Sequence, residues 1–322
     1  MPDLYPLRFH PIFRRALWGG RRLKELLGKP IGEGNDYAES WEVVDRGGDQ
    51  SVVQAGPLTG KTLAELLQQR GEEILGRHAS ARAFPLLFKF LDAHQRLSVQ
   101  VHPNDAQAAR LQPPDVGKTE AWVILHADPG SEIYVGLLAG TRREVLEREV
   151  RAGAAARCLH RIEVRPGDCV LIPAGTVHAL GAGLVVAEVQ QPSDTTFRLF
   201  DWNRLGPDGK PRPLHLAQAL DVIDYQRGPV MLQTPQPTDR PHVQRLVACE
   251  QFVLDRWQFD RPQSLGGDHR FHLIATLEGA VTLPGDPLDT LRKGQTALLG
   301  ASLGEVVVTP QARSVILDMY LP

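Results

Sequence analysis

The sequence predicts a mainly β protein built as two small barrels with a few short helices. Three observations carry this. From Arg161 to Gln191 short apolar runs alternate with Gly and Pro turns, as in barrels and sandwiches. The same texture returns over 243–322, in Phe252-Val253-Leu254, His272-Leu273-Ile274-Ala275, Thr296-Ala297-Leu298-Leu299, Val306-Val307-Val308 and Val315-Ile316-Leu317. Between them, Gln226 to Pro241 holds four prolines and little apolar content. The expected organisation is a larger unit over 1–228 with peripheral helices and a small C-terminal barrel over 229–322.

The elements follow in order. Residues 1–60 read as irregular and rich in Gly and Pro, with Ser40-Trp41-Glu42-Val43-Val44 the clearest strand. Thr62-Leu63-Ala64-Glu65 is a capping box, in which hydroxyl and carboxylate each satisfy an orphan helix amide. Leu63, Leu66, Leu67 and Ile74 then line one side of a helix ending near Gly76. Phe84 to Leu91 is a compact apolar run, expected as a buried strand. Leu97 to Asp105 is a strand with Val99 and Val101 on one face and Gln100 and His102 on the other. Asn104 and Asp105 can cap a short helix through Ala109. Thr141-Arg142-Arg143-Glu144 reads as a second capping box, opening a helix to about Ala152, and Leu214 to Ile223 is a short amphipathic helix.

Composition narrows the function classes. Over 322 residues, 42% are hydrophobic and 23% charged, ordinary for a globular protein. A net charge of −2 without a dominant basic run makes nucleic acid an unexpected partner. Cys158, Cys169 and Cys249 form no close pair, which fits a reducing compartment rather than a disulfide framework. The opening Met1-Pro2-Asp3-Leu4-Tyr5-Pro6 has no signal-peptide core, and no run reaches the ~18 apolar residues of a membrane span. The expectation is a cytoplasmic protein with neither membrane nor nucleic-acid partners, as a monomer or small homo-oligomer.

The chemistry concentrates on Gln100, His102, Glu120 and His178. Gln100 and His102 share one strand face. Glu120 follows Lys118-Thr119 and opens the apolar run Ala121 to Leu125. Gly167, Pro173-Ala174-Gly175 and His178 form a turn–strand–turn that delivers a histidine at a fixed place. Imidazole nitrogen and carboxylate oxygen are zinc donors, and a glutamine oxygen is a weaker neutral one. Each residue alone has a plainer reading: a surface histidine, a solvated strand face, an ion pair of Glu120 with Lys118. The combination favours one mononuclear metal site. Gly56 to Thr62 looks like a phosphate loop, but Ala55 stands where that motif needs glycine. His10, His78, His94, His126, His160, His215 and His242 lack a partner at ligand spacing and read as structural.

The segment from Gly167 to His178 matches the second sequence motif of cupin (jelly-roll) barrels, and Gln100-x-His102 with Glu120 sits where the first motif places its ligands. The chain resembles the type I mannose-6-phosphate isomerases, in their short bacterial form. Pro11-Ile12-Phe13, Leu17-Trp18-Gly19-Gly20, Glu39 to Val43, Phe84 to Lys89, Leu97 to Asp105, Gly117 to Trp122 and Ile172 to His178 carry the likeness. The resemblance implies two cupin-like barrels and one zinc ion per subunit, held by Gln100, His102, Glu120 and His178. It implies a catalytic arginine at Arg198, pocket residues at Lys118 and Asp194, and a sugar phosphate as substrate. Longer members carry a helical insertion between the glutamate and the last histidine; here about 57 residues separate Glu120 from His178, room for one helix.

The implied reaction is the interconversion of mannose 6-phosphate and fructose 6-phosphate through a cis-enediol(ate). A cation beside the oxygen where charge builds stabilises the transition state more than the ground state. Arg198 can add a fixed two-donor group. Lys118, Asp194 and Glu188 are the candidate proton carriers, with Glu188 also read as an orienter of Arg198. Ser98, Lys118, Arg198 and Arg204 are candidate phosphate donors. The C-terminal barrel reads as one without a metal site: His269 and His272 precede Glu278-Gly279, and no histidine follows Gly294. Two alternatives stand beside the isomerase: another metal-dependent cupin enzyme such as an oxygenase, and a non-catalytic sugar-phosphate-binding cupin.

Overall fold

A computed structural model describes residues 3–206 and 209–322; Met1 and Pro2, part of the opening read above for a signal peptide, lie outside the described residues. The strands form two pairs of antiparallel sheets. In the first pair, six strands run in the order Ile12–Gly20, Tyr37–Val43, Leu87–Ala93, Leu184–Gln190, Glu120–Ala127, Cys169–Ile172. Five more run Phe197–Phe200, Val99–Val101, His178–Leu180, Glu132–Leu137, Leu159–Glu163. These two sheets face each other across a core that includes Trp18, Leu91, Trp122, Ile133, Val135, Leu180 and Val186. The second pair, six strands and four within 236–320, closes over Trp257, Leu265, Ile274, Val281, Val306 and Ile316. This is the jelly-roll architecture the sequence led us to expect, mainly β with short helices.

The two sheet pairs stack through their six-stranded sheets. Val185, Ala187 and Val189 point away from the first barrel and join Leu254, Leu273, Ala275, Leu317 and Met319 of the second in one apolar cluster. The helix Leu63–Leu75 packs into that cluster, with Leu63, Leu66, Leu67, Ile74 and Leu75 buried. This explains why Leu184–Gln190 is buried at every position: its even side chains face the first barrel and its odd ones the neighbouring unit. Such a strand shows no polar alternation.

Local signals behave as their chemistry demands, with two exceptions. Thr62 and Glu65 form the capping box. Asn104 caps Asp105–Ala108, with Gln107 completing the reciprocal pair. The expected box at Thr141 does not form: Arg142 is the N-cap of Arg143–Arg151 and makes no side-chain cap, because the chain turns one residue later than the threonine requires. The opening is also more regular than expected. Ile12–Gly20 is a nine-residue strand paired along Tyr37–Val43 with register shifts at Arg14/Arg15 and after Arg15, irregularities that break the period-2 pattern by which a strand is recognised. Cys158, Cys169 and Cys249 are all free thiols. Among the described residues, no helix is long and apolar enough to cross a membrane.

Candidate metal centre and substrate cavity

Strand register builds the site. In the five-stranded sheet Gln100 pairs with Arg198 on one side and His178 on the other. These three side chains thus form one cross-strand row, and His102 follows directly at the end of the central strand. In the six-stranded sheet Glu188 pairs with Lys89 and with Trp122, and Lys89 pairs with Trp41. Glu120 lies two residues before Trp122, on the same face. The two rows confront each other across the barrel.

Between them the nitrogens of His102 and His178 and a carboxylate oxygen of Glu120 lie within 4.8 Å of one another, all three residues buried. His102 Nδ1 donates to the Thr195 carbonyl at 2.9 Å, and His178 Nδ1 donates to the Thr176 carbonyl at 2.8 Å. A carbonyl only accepts, so each ring carries its proton on Nδ1 and turns an Nε2 lone pair inward. Glu120 Oε2 is 3.5 Å from His102 Nε2, and Oε1 is 3.2 Å from His178 Nε2. Gln100 Nε2 lies 3.3 Å from His178 Nε2; a half-turn of the amide puts its oxygen there instead, with no change of shape. Gly175, at φ 83°, supplies the left-handed turn that starts the run into His178. Its backbone amide anchors on the His102 carbonyl at 2.8 Å.

The electrostatics are those of a cation site. Burial, with Lys118 and His178 adding to it, holds the His102 imidazole well below its ordinary range. Burial likewise holds His178 at about 4. Both rings are therefore neutral donors at neutral pH. Burial pushes the Glu120 carboxyl up to about 7 against the pull of Lys118. Neither Glu120 oxygen makes a hydrogen bond, although Lys118 Nζ stands 3.3 Å from Oε2. Lys118 meets only Glu120 Oε2 and His102 Nε2, while Glu120 Oε1 and His178 Nε2 face each other at 3.2 Å, an arrangement that is unfavourable unless a further cation joins them. Two imidazoles, a carboxylate and an amide oxygen fit a divalent ion of borderline softness.

A cavity of about 250 Å³ opens above these ligands, its wall including Ser98, Gln100, Lys118, Asp194, Arg198 and Arg212. The Lys118 ammonium sits 3.2 Å from His102 Nε2. Arg198 Nη1 donates to the Pro213 carbonyl at 2.9 Å, and its Nε is buried without a partner. Glu188 accepts from Trp122 Nε1 at 2.7 Å and is 3.0 Å from Lys89 Nζ. Burial raises the Glu188 carboxyl, but Lys89 and Lys118 outweigh it and hold the group below its usual range.

The mannose-6-phosphate isomerase ManA of Bacillus subtilis is 36% identical to the chain over 319 residues, covering 97% of the chain and 98% of the relative. The chain belongs to the type I phosphomannose isomerases. The model of the type I phosphomannose isomerase catalytic domain matches residues 7–118. A mannose-6-phosphate isomerase of Streptococcus mutans is 34% identical over 298 residues, 91% of this chain and 92% of that one. The crystal structure of the Bacillus subtilis mannose 6-phosphate isomerase superposes with a TM-score of 0.88 at 30% identity, covering 97% of this chain and 99% of that one. The type I phosphomannose isomerase family is metal-dependent, in keeping with the donor set described above.

Against this phosphomannose isomerase frame, the residues singled out from the sequence converge. His102, Glu120 and His178 meet in one buried cluster with Gln100 beside them, and Gln100, Lys118, Asp194 and Arg198 line the adjoining cavity. Two expectations are corrected. Glu188 does not orient Arg198; it is held by Lys89 and Trp122 across its own sheet, because the two residues lie in opposite sheets. Arg204 lies outside this cavity and is spent on Asp201 and the Arg96 carbonyl, its loop turning away after Phe200. Lys89 and Arg212 were missed. Lys89 carried a usable signal, a single cation inside an eight-residue apolar run, which a buried strand tolerates only opposite an anion. Arg212 carried none, since its partner Asp201 is eleven residues away in an irregular segment.

Proposed function

We propose that this phosphomannose isomerase interconverts mannose 6-phosphate and fructose 6-phosphate within the cavity above His102, Glu120 and His178, in a catalytic unit spanning 1–228. The carrying observation is the confrontation of two rows, Arg198–Gln100–His178 and Lys89–Glu188–Trp122, over one buried carboxylate. Gln100, His102, Glu120 and His178 would hold one zinc ion, which supplies Lewis-acid polarisation of a substrate oxygen.

The chain's own groups account for the rest. Isomerisation moves a proton between C1 and C2 through a cis-enediol(ate); one of the wall groups Lys118, Asp194 and Glu188 takes the proton from one carbon and returns it to the other, and negative charge grows on oxygen as it leaves. Arg198, fixed by the Pro213 carbonyl and with an unspent Nε, stabilises that charge. Lys118, buried with its ammonium toward the ligands, binds the reacting end of the sugar, and the exposed Asp194 takes a hydroxyl at the rim. Ser98 and Arg212 give the cavity wall the donors a phosphoryl group needs. Arg212 is pinned by two bonds to Asp201 and acts as fixed positive charge. Residues 229–322 form the second barrel, which serves as a packing partner for the six-stranded sheet. We place the enzyme in the cytoplasm, as a monomer or small homo-oligomer; its three cysteines are free thiols, as a reducing compartment keeps them.

The test is a coupled isomerase assay with metal analysis. We expect about one zinc per chain, with turnover abolished by a chelator and restored by zinc. In His178→Ala both metal and turnover should be lost while the far-ultraviolet dichroism persists. Full turnover in that variant, or iron with oxygen consumption, would overturn the reading.

A further inference from the structure

The C-terminal barrel contains a second polar cavity that shares no residue with the first. It measures about 320 Å³, and its wall includes Arg240, Arg245, Trp257, Arg270, His272 and Tyr320. Its carboxylates are already saturated. Asp255 accepts from Arg245 through both oxygens and from the Tyr320 hydroxyl at 2.8 Å. Both Asp318 oxygens accept from His272 Nδ1, at 2.9 and 3.1 Å. Asp268 accepts from His272 Nε2 at 3.2 Å and from Arg270 Nε at 2.7 Å. His272 thus presents a proton from each ring nitrogen to a carboxylate, the hydrogen-bond pattern of an imidazolium. Asp239, the remaining acid on the wall, is exposed.

What is left over is donor capacity. Arg240 Nη1 is bound to the Ser264 carbonyl, and Arg270 Nη1 to the Leu321 carbonyl. Among the described residues, Arg240 Nη2, Arg245 Nη1 and Arg270 Nη2 make no hydrogen bond, and the buried Trp257 Nε1 has no partner. The guanidinium forks are also held in place. Arg240 lies over the Trp257 ring at 5.5 Å and Arg270 over the Tyr320 ring at 4.6 Å, while Arg245 is clamped by Asp255. Pinned guanidinium groups with spare N–H donors around a polar cavity are the chemistry of oxyanion recognition.

We propose that this cavity binds a small oxyanion, a phosphate or carboxylate, between Arg240, Arg245 and Arg270. Four cationic groups and four acids line the wall, so the selectivity rests on directed donors rather than on net positive field. The inference is independent of the isomerase reading.

The experiment is calorimetric titration of the metal-loaded full chain with inorganic phosphate and, separately, with succinate. It is run on wild type, on Arg198→Ala, and on Arg240→Gln with and without Arg270→Gln. Arg198→Ala removes one cation from the first cavity but leaves Ser98, Lys118 and Arg212 there, so second-cavity binding is the part that Arg198→Ala leaves unchanged and Arg240→Gln weakens. Each charge-assisted hydrogen bond lost weakens binding by about tenfold or more. We expect that loss in Arg240→Gln, deepening in the double variant, with isomerase turnover retained. Phosphate alone binding identifies a phosphoryl site, and succinate alone a carboxylate site. Arg240 is exposed, so its variant folds even where Arg270→Gln strands Asp268. Unchanged affinity in Arg240→Gln, or no second-site binding by either anion at tens of millimolar, overturns the proposal.

Discussion

Replacing Lys89 by methionine tests the electrostatic logic of the first cavity. Lys89 and Glu188 are buried side chains, 6% and 4% exposed, with 3.0 Å between charged atoms. Glu39 adds a second carboxylate at 3.4 Å, and Trp41 covers the ammonium at 5.5 Å. Methionine keeps an unbranched, flexible side chain one atom shorter and removes the ammonium with its charge and donors. Glu188 then keeps the Trp122 bond but loses its adjacent counter-ion. Breaking a buried pair on one side costs about 3–5 kcal/mol, most of it the penalty of the stranded charge. For a chain of this size that lowers the Tm by about 5–7 °C. The second arm is Lys89→Met with Glu188→Gln. The amide still accepts from Trp122, no stranded charge remains at position 188, and stability should return to within about 1 kcal/mol of wild type. Turnover should not return, because two charges of the cavity wall are gone. Urea unfolding of the four proteins of this cycle reads the energies, and the coupled assay reads turnover. A Lys89→Met protein within about 1 kcal/mol of wild type, or a double variant no more stable than the single, would refute the argument.

Other outcomes follow from the same contacts. Arg198→Ala should lower kcat by about 10²–10³-fold, the loss typical of a donor to developing charge, and Arg198→Lys should recover part of it; steady-state kinetics at saturating substrate decides. His272 is raised to about 9, because Asp318 and Asp268 outweigh the burial that opposes them. Its contribution to stability is complete below an unfolded pKa near 6.5 and is lost as pH rises through about 9. The stability difference between wild type and His272→Gln should therefore shrink by about 3 kcal/mol between mildly acidic and strongly alkaline pH, and a constant difference in urea unfolding would contradict it. Thr62→Ala removes the hydroxyl that accepts from the Glu65 amide and should cost about 1 kcal/mol in the same assay without changing turnover.

The helix start at Thr62, the cap at Asn104 and the donor pair Gln100 and His102 were legible because each depends on neighbours three residues away or fewer. So was the turn that delivers His178, since Gly175 takes a conformation few other residues tolerate. The false cap at Thr141 shows the limit of such local signals, which offer a hydroxyl but do not oblige the chain to use it. Lys89 was hidden for a different reason. Its strand, Leu87–Ala93, is buried at all seven positions, so nothing in the alternation says which side chains face the cavity and which face the next unit.

By itself, then, the amino-acid order determined the β class and the helix boundaries set by reciprocal caps, and it singled out His102, Glu120 and His178, whose donor atoms the fold gathers. Only the tertiary structure decided that the row Arg198–Gln100–His178 confronts the row Lys89–Glu188–Trp122, that Arg212 rather than Arg204 reaches the cavity, and that the second barrel encloses spare guanidinium donors. The physical reason is range. Caps and turns are closed by a few adjacent bonds, whereas cross-strand register and sheet-on-sheet packing join residues far apart in the chain, such as Gln100 with Arg198 and Ala187 with Leu317, through contacts that exist only once the barrel has closed.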